Sequence, residues 1–277
     1  MKGPALHALG FLSAWGAGVG VLPADARLAA AGRPVLSLGR PERDGERFRR
    51  TTREGLLALA AVESALEDGG AHRLAIAGDR TALVYVTAAA YAPSNQRFIE
   101  GRGGSIRFAE TAPAVVPAEV AIELHLSGPY AIFLGGPPAT LRGIWHAAGL
   151  IADGECDRAL VLGVEIFEEC EGLYARSGRL CRRPLVEAAA CLWLEAGQGT
   201  LSLESGRDGA GETGTDLRRR LGETFCCEPL AALDSWRRMD RAGTLNLTGR
   251  WRGETARLVW TDPMPRPLLA ATRREEP

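Results

Sequence analysis

The chain has 277 residues, 46% hydrophobic and 24% charged, with a formal net charge of −1; this is the composition of a globular protein with room for one large core or two modest ones. That balance excludes the basic surface of a nucleic-acid binder or of a protein held on an anionic membrane, and no apolar run reaches the roughly 18 residues that a membrane span needs. Six cysteines without a C-x-x-C pair, beside only four histidines, exclude zinc-binding spacing, so a cytoplasmic protein with free thiols, no metal and no cofactor is expected.

Leu6–Trp15 is apolar and runs into Gly16-Ala17-Gly18, which reads as a buried strand and a turn rather than a leader peptide. Leu22–Arg50 is rich in Arg, Pro and Gly and predicts a long loop with a short helix. Thr51–Asp68 carries an apolar stripe at helical spacing and stops at Gly69-Gly70. Arg80–Thr87 is almost continuously apolar, as a strand buried on both faces is. An irregular stretch over residues 91–107, with a short helix near Gln96–Ile99, leads to a helix over Pro117–Leu126. Tyr130–Leu134 reads as a short strand, Thr140–Ala152 as a helix ended by Asp153-Gly154, and Arg158–Ile166 as another buried strand. Ala188–Glu195 and Thr200–Glu204 read as an antiparallel pair. The alternation predicts an α/β protein with a mixed sheet covered by helices. Beyond Gly206 the texture changes to a polar glycine-rich stretch, a partly helical Leu217–Arg238, and a hairpin of Thr244–Thr248 with Ala256–Thr261 about Gly249–Thr255. Two units follow: 1–206, and a shorter 207–277 packed on the same core.

One segment is more specific. From Ser127 the chain reads S-G-P, an apolar strand, G-G-P-P-A-T-L-R-G-I and a helix, then D-G-E-C-D-R-A-L-V-L-G-V-E up to Glu165. Ile151, Gly154, Asp157, Ala159, Leu160, Val161, Gly163 and Glu165 follow the pattern I-x-x-G-x-x-D-x-A-L-V-x-G-x-E. This segment resembles the β-ketoacyl-acyl carrier protein synthases, in which a Gly-Pro precedes a strand, the strand ends at a nucleophilic cysteine, and a helix follows. Leu9-Gly10 with Ser13 and Gly16, the stretch from Asp79-Arg80-Thr81, and Arg183-Pro184 followed by Glu187–Glu195 resemble further segments of the family's N-terminal half. The resemblance covers about residues 6–206. It implies a thiolase-like layered mixed sheet with helices, one half complete and the C-terminal half strongly reduced.

The departures from the family pattern bear on activity. The nucleophile's place falls on Pro137, which has neither thiol nor hydroxyl, and Pro138 has no N–H to help stabilise an oxyanion. The family's two catalytic histidines lie in its C-terminal half, whereas His7, His72, His125 and His146 are the only histidines of this chain. The resemblance therefore implies a catalytically inactive subunit, similar to a chain-length factor, with no catalytic residue of its own. It would pair with an active β-ketoacyl synthase and shape its acyl pocket in fatty acid, polyene or polyketide synthesis, with an acyl carrier protein as a further partner.

By the same resemblance Tyr130, Ala131, Ile132, Phe133 and Leu134 form the interface strand, and Phe108, Thr111, Val115 and Val116 line the partner's pocket. Two readings stand beside this one. The first is an enzyme of the same fold using Ser13, Thr140 or Cys170 as nucleophile; the second is a stand-alone scaffold or binding protein. The arginines at 218–220 and 237–238 read as a solvated helix face or as a landing site for an acidic carrier. Cys156 and Cys170 read as buried structural thiols, and Cys226-Cys227 as the more exposed pair. Glu165–Glu171 is an acidic stretch of the kind that lines a site.

Overall fold

A computed structural model describes residues 3–49, 51–101, 105–167, 171–172, 183–207, 215–239 and 243–261. Its centre is a six-stranded sheet. Strand β1 (Gly3–Ser13) turns into the two-residue β2 (Gly16–Ala17). After a short helix α1 (Ala26–Ala29) and β3 (Val35–Leu36), helix α2 (Arg53–Asp68) leads to β4 (Thr81–Thr87). Helices α3 (Ala92–Ile99) and α4 (Val115–Glu123) precede β5 (Tyr130–Leu134); α5 (Pro137–Ala152) then precedes β6 (Arg158–Glu165). β7 (Leu185–Val186) pairs with β3 and bridges to Glu223, and β8 (Ala188–Gly197) completes the sheet in the order β2-β1-β8-β6-β4-β5. β4, β5 and β6 are parallel, while β8 runs antiparallel to both β6 and β1.

The strands are apolar throughout because each face meets a core of its own. Leu83, Tyr85, Leu160, Leu162, Cys191 and Trp193 point to the side of α2 and α4; Val84, Val86, Val161, Ala190 and Leu192 point to the side of α5. This is the two-residue alternation of a strand covered twice. Helix α2 is capped by the Thr52 hydroxyl, which accepts the Gly55 N–H. Helix α5 starts at Pro137, three residues before the sequence-based expectation, because prolines suit a first turn whose N–H groups have no helical partner. It ends at Asp153-Gly154, where Gly154 takes φ +76°, a value glycine reaches without strain.

A second sheet lies across α5. β9 (Thr200–Arg207), β10 (Thr244–Trp251) and β11 (Glu254–Thr261) form it in the order β10-β11-β9. The expected antiparallel pairing of β9 with β8 does not occur. Both edges of β8 are already taken, by β1 and β6, so β9 crosses over and pairs with β11. The hairpin is longer than expected and turns through Arg252-Gly253 alone, both at positive φ, as a two-residue hairpin turn requires. Helices α6 (Thr215–Leu221) and α7 (Glu228–Arg238) lie between β9 and β10 of this second sheet, with α7 beside α5. The layers thus run helix, sheet, helix, sheet. Leu245, Leu247, Leu258 and Trp260 face inward, while Thr244, Asn246, Glu204 and Arg257 face solvent. That outer face is polar, so no further layer is needed to cover it.

The two edges of the main sheet differ. Near β1, the Leu9 N–H donates to Asp68, the Gly18 N–H to the Phe11 carbonyl and the Val19 N–H to Asp234. At the other edge, β5 is paired, among the described residues, with β4 alone. The Pro129 carbonyl and Gly135 N–H bond inward to Leu83 and Thr87. The alternation of a parallel ladder then turns the backbone groups of Tyr130, Ile132 and Leu134 outward.

Candidate active site and edge strand

Between β5 and α5 the chain turns through Gly135-Gly136-Pro137-Pro138, and a cavity of about 330 Å³ opens beside it. Ala88 and Tyr91 from beyond β4, Leu134 from β5 and Ala139 and Arg142 from α5 form one side. Trp251, Arg252 and Glu254 from the C-terminal hairpin form the other. Among the described residues no cysteine or histidine lines it. Two glycines permit the hairpin to dock. A Cβ on Gly136 would sit 2.5 Å from the Trp251 ring, and one on Gly249 would sit 2.7 Å from the Pro137 backbone. Trp251 stacks on Phe225 at 4.6 Å, and Phe225 on Phe167 at 5.1 Å, so an aromatic row closes the space between the hairpin and the end of β6. Phe225 holds φ +44°, a left-handed conformation that a bulky side chain adopts only when its surroundings enforce it.

Beneath the turn lies a buried polar cluster. The Glu165 carboxylate, fully buried at the end of β6, accepts N–H groups from Ala88 at 2.7 Å, Ala89 at 2.9 Å and Cys226 at 3.2 Å. Burial pushes its pKa up to about 7 despite these donors. The Thr140 hydroxyl donates to the Cys226 carbonyl at 2.6 Å, which ties α5 to the segment before α7. Cys226 and Cys227 are buried, not exposed as expected, and burial raises both thiols above the ordinary range, a state that suppresses thiolate chemistry. Glu187, also fully buried, pairs with Arg53 and accepts the N–H groups of Leu38 at 2.7 Å and Phe167 at 2.6 Å.

The chain matches the β-ketoacyl synthase N-terminal domain over residues 42–180, half of its length. It belongs to the β-ketoacyl synthase family. Its thiolase-like fold is similar to that of a β-ketoacyl synthase from Burkholderia phymatum STM815, at 16% identity over 95% of this chain and 100% of that one, with a TM-score of 0.69. It is similar also to the ishigamide ketosynthase/chain length factor, at 16% identity over 94% and 99%, with a TM-score of 0.72. A type II polyketide synthase acyl-carrier protein in complex with its ketosynthase bound to the hexaketide gives 14% identity over 94% and 99%, with a TM-score of 0.74. At such identities the likeness is one of fold. No curated protein matches the sequence.

Within this synthase-family fold the motif residues have structural work. Asp157 pairs with Arg80 at 2.8 Å, and the Arg80 guanidinium also donates to the carbonyls of Gly154 and Glu155. The two matching segments are thereby joined. Glu165 is the buried carboxylate of the polar cluster, and Ile151 lies in the core. Pro137 stands at the head of α5.

The expected interface residues lie on the open edge strand. Tyr130 and Leu134 are 49% and 56% exposed. Ala131 and Phe133 lean toward the α5 core and Ile132 toward the α2 core. Of the residues expected to line a partner's pocket, Phe108 is exposed and stacks on Phe98 at 5.5 Å. Thr111 donates to the Phe108 carbonyl and Val115 is half-buried. Val116 departs from expectation: it is buried with Val120 and Leu124 in this chain's own core and has no surface to offer a partner.

Ser13 and Thr140, considered as replacement nucleophiles, are buried away from the cavity, with their hydroxyls donating to the Gly16 and Cys226 carbonyls. Cys170 and most of the acidic stretch after Phe167 lie outside the described residues, as does Cys181. The arginine cluster is engaged within the chain: Arg218 with Glu228, Arg219 with Asp216, Arg220 with the Leu22 and Pro23 carbonyls, Arg237 with Asp68 and Arg238 with Asp234. Sequence reasoning missed Trp251, Arg142 and Arg252 as cavity residues, because hairpin and helix come together only in the folded chain. Among the described residues no three side chains are grouped to hold a metal, and no helix is long and apolar enough to cross a membrane.

Proposed function

We propose that this chain is a catalytically inactive ketosynthase-like subunit that pairs through β5 with an active β-ketoacyl synthase and shapes its acyl pocket. The observation that carries the reading is the turn before α5. Pro137 stands where the family pattern would put an acyl-accepting thiol, and among the described residues no cysteine and no histidine lines the cavity beside it. Acyl transfer needs a nucleophile and a base that activates it, and neither is at hand there.

Pairing is supported by the contrast between the sheet edges. An open edge with half-exposed apolar side chains invites another strand, and proteins that stay monomeric guard such edges. The β1 edge is guarded; among the described residues nothing pairs with the outer side of β5. Trp145, on the helix packed beside β5, is also half exposed. Phe98, Ile99 and Phe108 present a second apolar surface, through which the chain would reach a partner's pocket. A relative resolved with a carrier protein and another named a ketosynthase/chain length factor make such a partnership, and a carrier protein, the natural candidates.

The inactivity is tested by intact-mass spectrometry after incubation with acyl-carrier protein thioesters. The unmodified mass is expected. A stoichiometric acyl adduct on one residue would overturn the reading and identify a nucleophile.

A further inference from the structure

The cavity has a chemistry of its own, which does not depend on a partner. Leu134, Ala139 and Trp251 give it apolar lining, and Tyr91 adds a hydroxyl. Among the described lining residues three are charged. Arg142 forms an ion pair with Glu254 at 3.1 Å, and both are substantially exposed. The Arg252 guanidinium lies 5.6 Å from the Trp251 ring centre. Two guanidinium groups and one carboxylate give the described lining a net charge of about +1, which suits a singly charged anion better than a dianion. Pro137 and Pro138 bring no N–H to the head of α5, so an anion here must be taken by the arginines. Glu254 already demonstrates that a carboxylate fits against Arg142, and an exposed ion pair of this kind is easily exchanged because it is worth about 1 kcal/mol or less.

We propose that this cavity binds a small monocarboxylate with a compact apolar body. The carboxylate takes the place of Glu254 on Arg142 and is reached by Arg252. The body lies against Leu134, Ala139 and the Trp251 ring. The volume of about 330 Å³ is at the small end of ligand pockets, roughly 300–1,000 Å³, so long chains are not accommodated. No covalent step is involved.

The test is calorimetric titration of the full chain with hexanoate, and separately with hexanamide, hexanol and inorganic phosphate. Hexanoate is expected to saturate one site. Hexanamide and hexanol should bind about tenfold more weakly or worse, since a hydrogen bond to a charged group is lost, and phosphate should not compete. Arg252→Gln should weaken hexanoate by a similar factor. Glu254→Gln removes the internal competitor and should tighten hexanoate several-fold, a gain that no loss of folding could produce. Equal binding of hexanoate and hexanamide, absence of saturable hexanoate binding, or unchanged affinity in Glu254→Gln would overturn the proposal. Because the chain is titrated alone, failure here leaves the pairing proposal standing.

Discussion

Docking of the C-terminal hairpin on the site turn rests on two missing side-chain atoms, and substitution at each tests a different kind of contact. In Gly136→Ala the new Cβ would meet the Trp251 ring at 2.5–2.6 Å, and a half-exposed indole has room to shift. In Gly249→Ala the Cβ would meet the Pro137 carbonyl carbon at 2.7 Å and the Pro138 nitrogen at 2.8 Å, and that rigid backbone cannot move aside. Overpacking costs about 1–3 kcal/mol; Gly249→Ala should therefore fall at the upper end or beyond, and Gly136→Ala at the lower end. For a chain of this size the melting temperature should drop by about 2–4 °C per kcal/mol. Urea denaturation and calorimetry supply the values. A second variant isolates the contact: in a Trp251→Leu background, Gly136→Ala should cost less than in the native chain, with a coupling of at least about 0.5 kcal/mol. The reasoning fails if Gly249→Ala is as stable as the native chain, or if the Gly136→Ala penalty is the same with and without Trp251.

Glu165, Glu228 and Glu119 have their pKa values pushed up to about 7, in each case foremost by burial. A carboxyl whose folded pKa exceeds its unfolded value contributes stability that is complete below the unfolded value, 4.5, and is lost as pH rises through about 7. The protein should therefore melt higher at pH 5 than at pH 7.5, and Glu165→Gln should flatten that slope; a native melting temperature that rises between pH 5 and 7.5 would contradict the assignment. Arg53→Met strips the guanidinium from the buried Glu187 carboxylate, and breaking such a pair costs about 3–5 kcal/mol; a loss under 1 kcal/mol in urea denaturation would mean that the other partners of Glu187, the Leu38 and Phe167 amides among them, satisfy it.

The strands and main helices were legible because their patterns report burial directly. Thr81–Thr87 is continuously apolar as it is covered on both faces, and the stripe of α2 fits its seat on β1 and β8. The stretch up to Glu165 was legible for another reason: Gly154, Asp157 and Glu165 each meet a local demand, a left-handed turn, a partner for Arg80 and a buried anion nest. What escaped the sequence depends on distant pairing. Nothing in Thr200–Glu204 says that β8 has no free edge left. Nothing near Trp251 says that it lands on Gly136, since 115 positions separate them in the chain. Burial of Cys226-Cys227 and Val116 was missed because neither stretch says in sequence which other elements fold over it.

The account stands or falls on partnership through β5. Co-expression of the chain with an active β-ketoacyl synthase, followed by native mass spectrometry, measures it directly. Ile132 leans toward this chain's own core, so the diagnostic variants are at the half-exposed Tyr130 and Trp145, each replaced by glutamate and checked for folding by circular dichroism. The account predicts a one-to-one complex for the native chain and free subunits for the folded Tyr130→Glu,Trp145→Glu variant. A native chain that remains monomeric beside the synthase, or a folded variant that assembles as well as the native one, would contradict it.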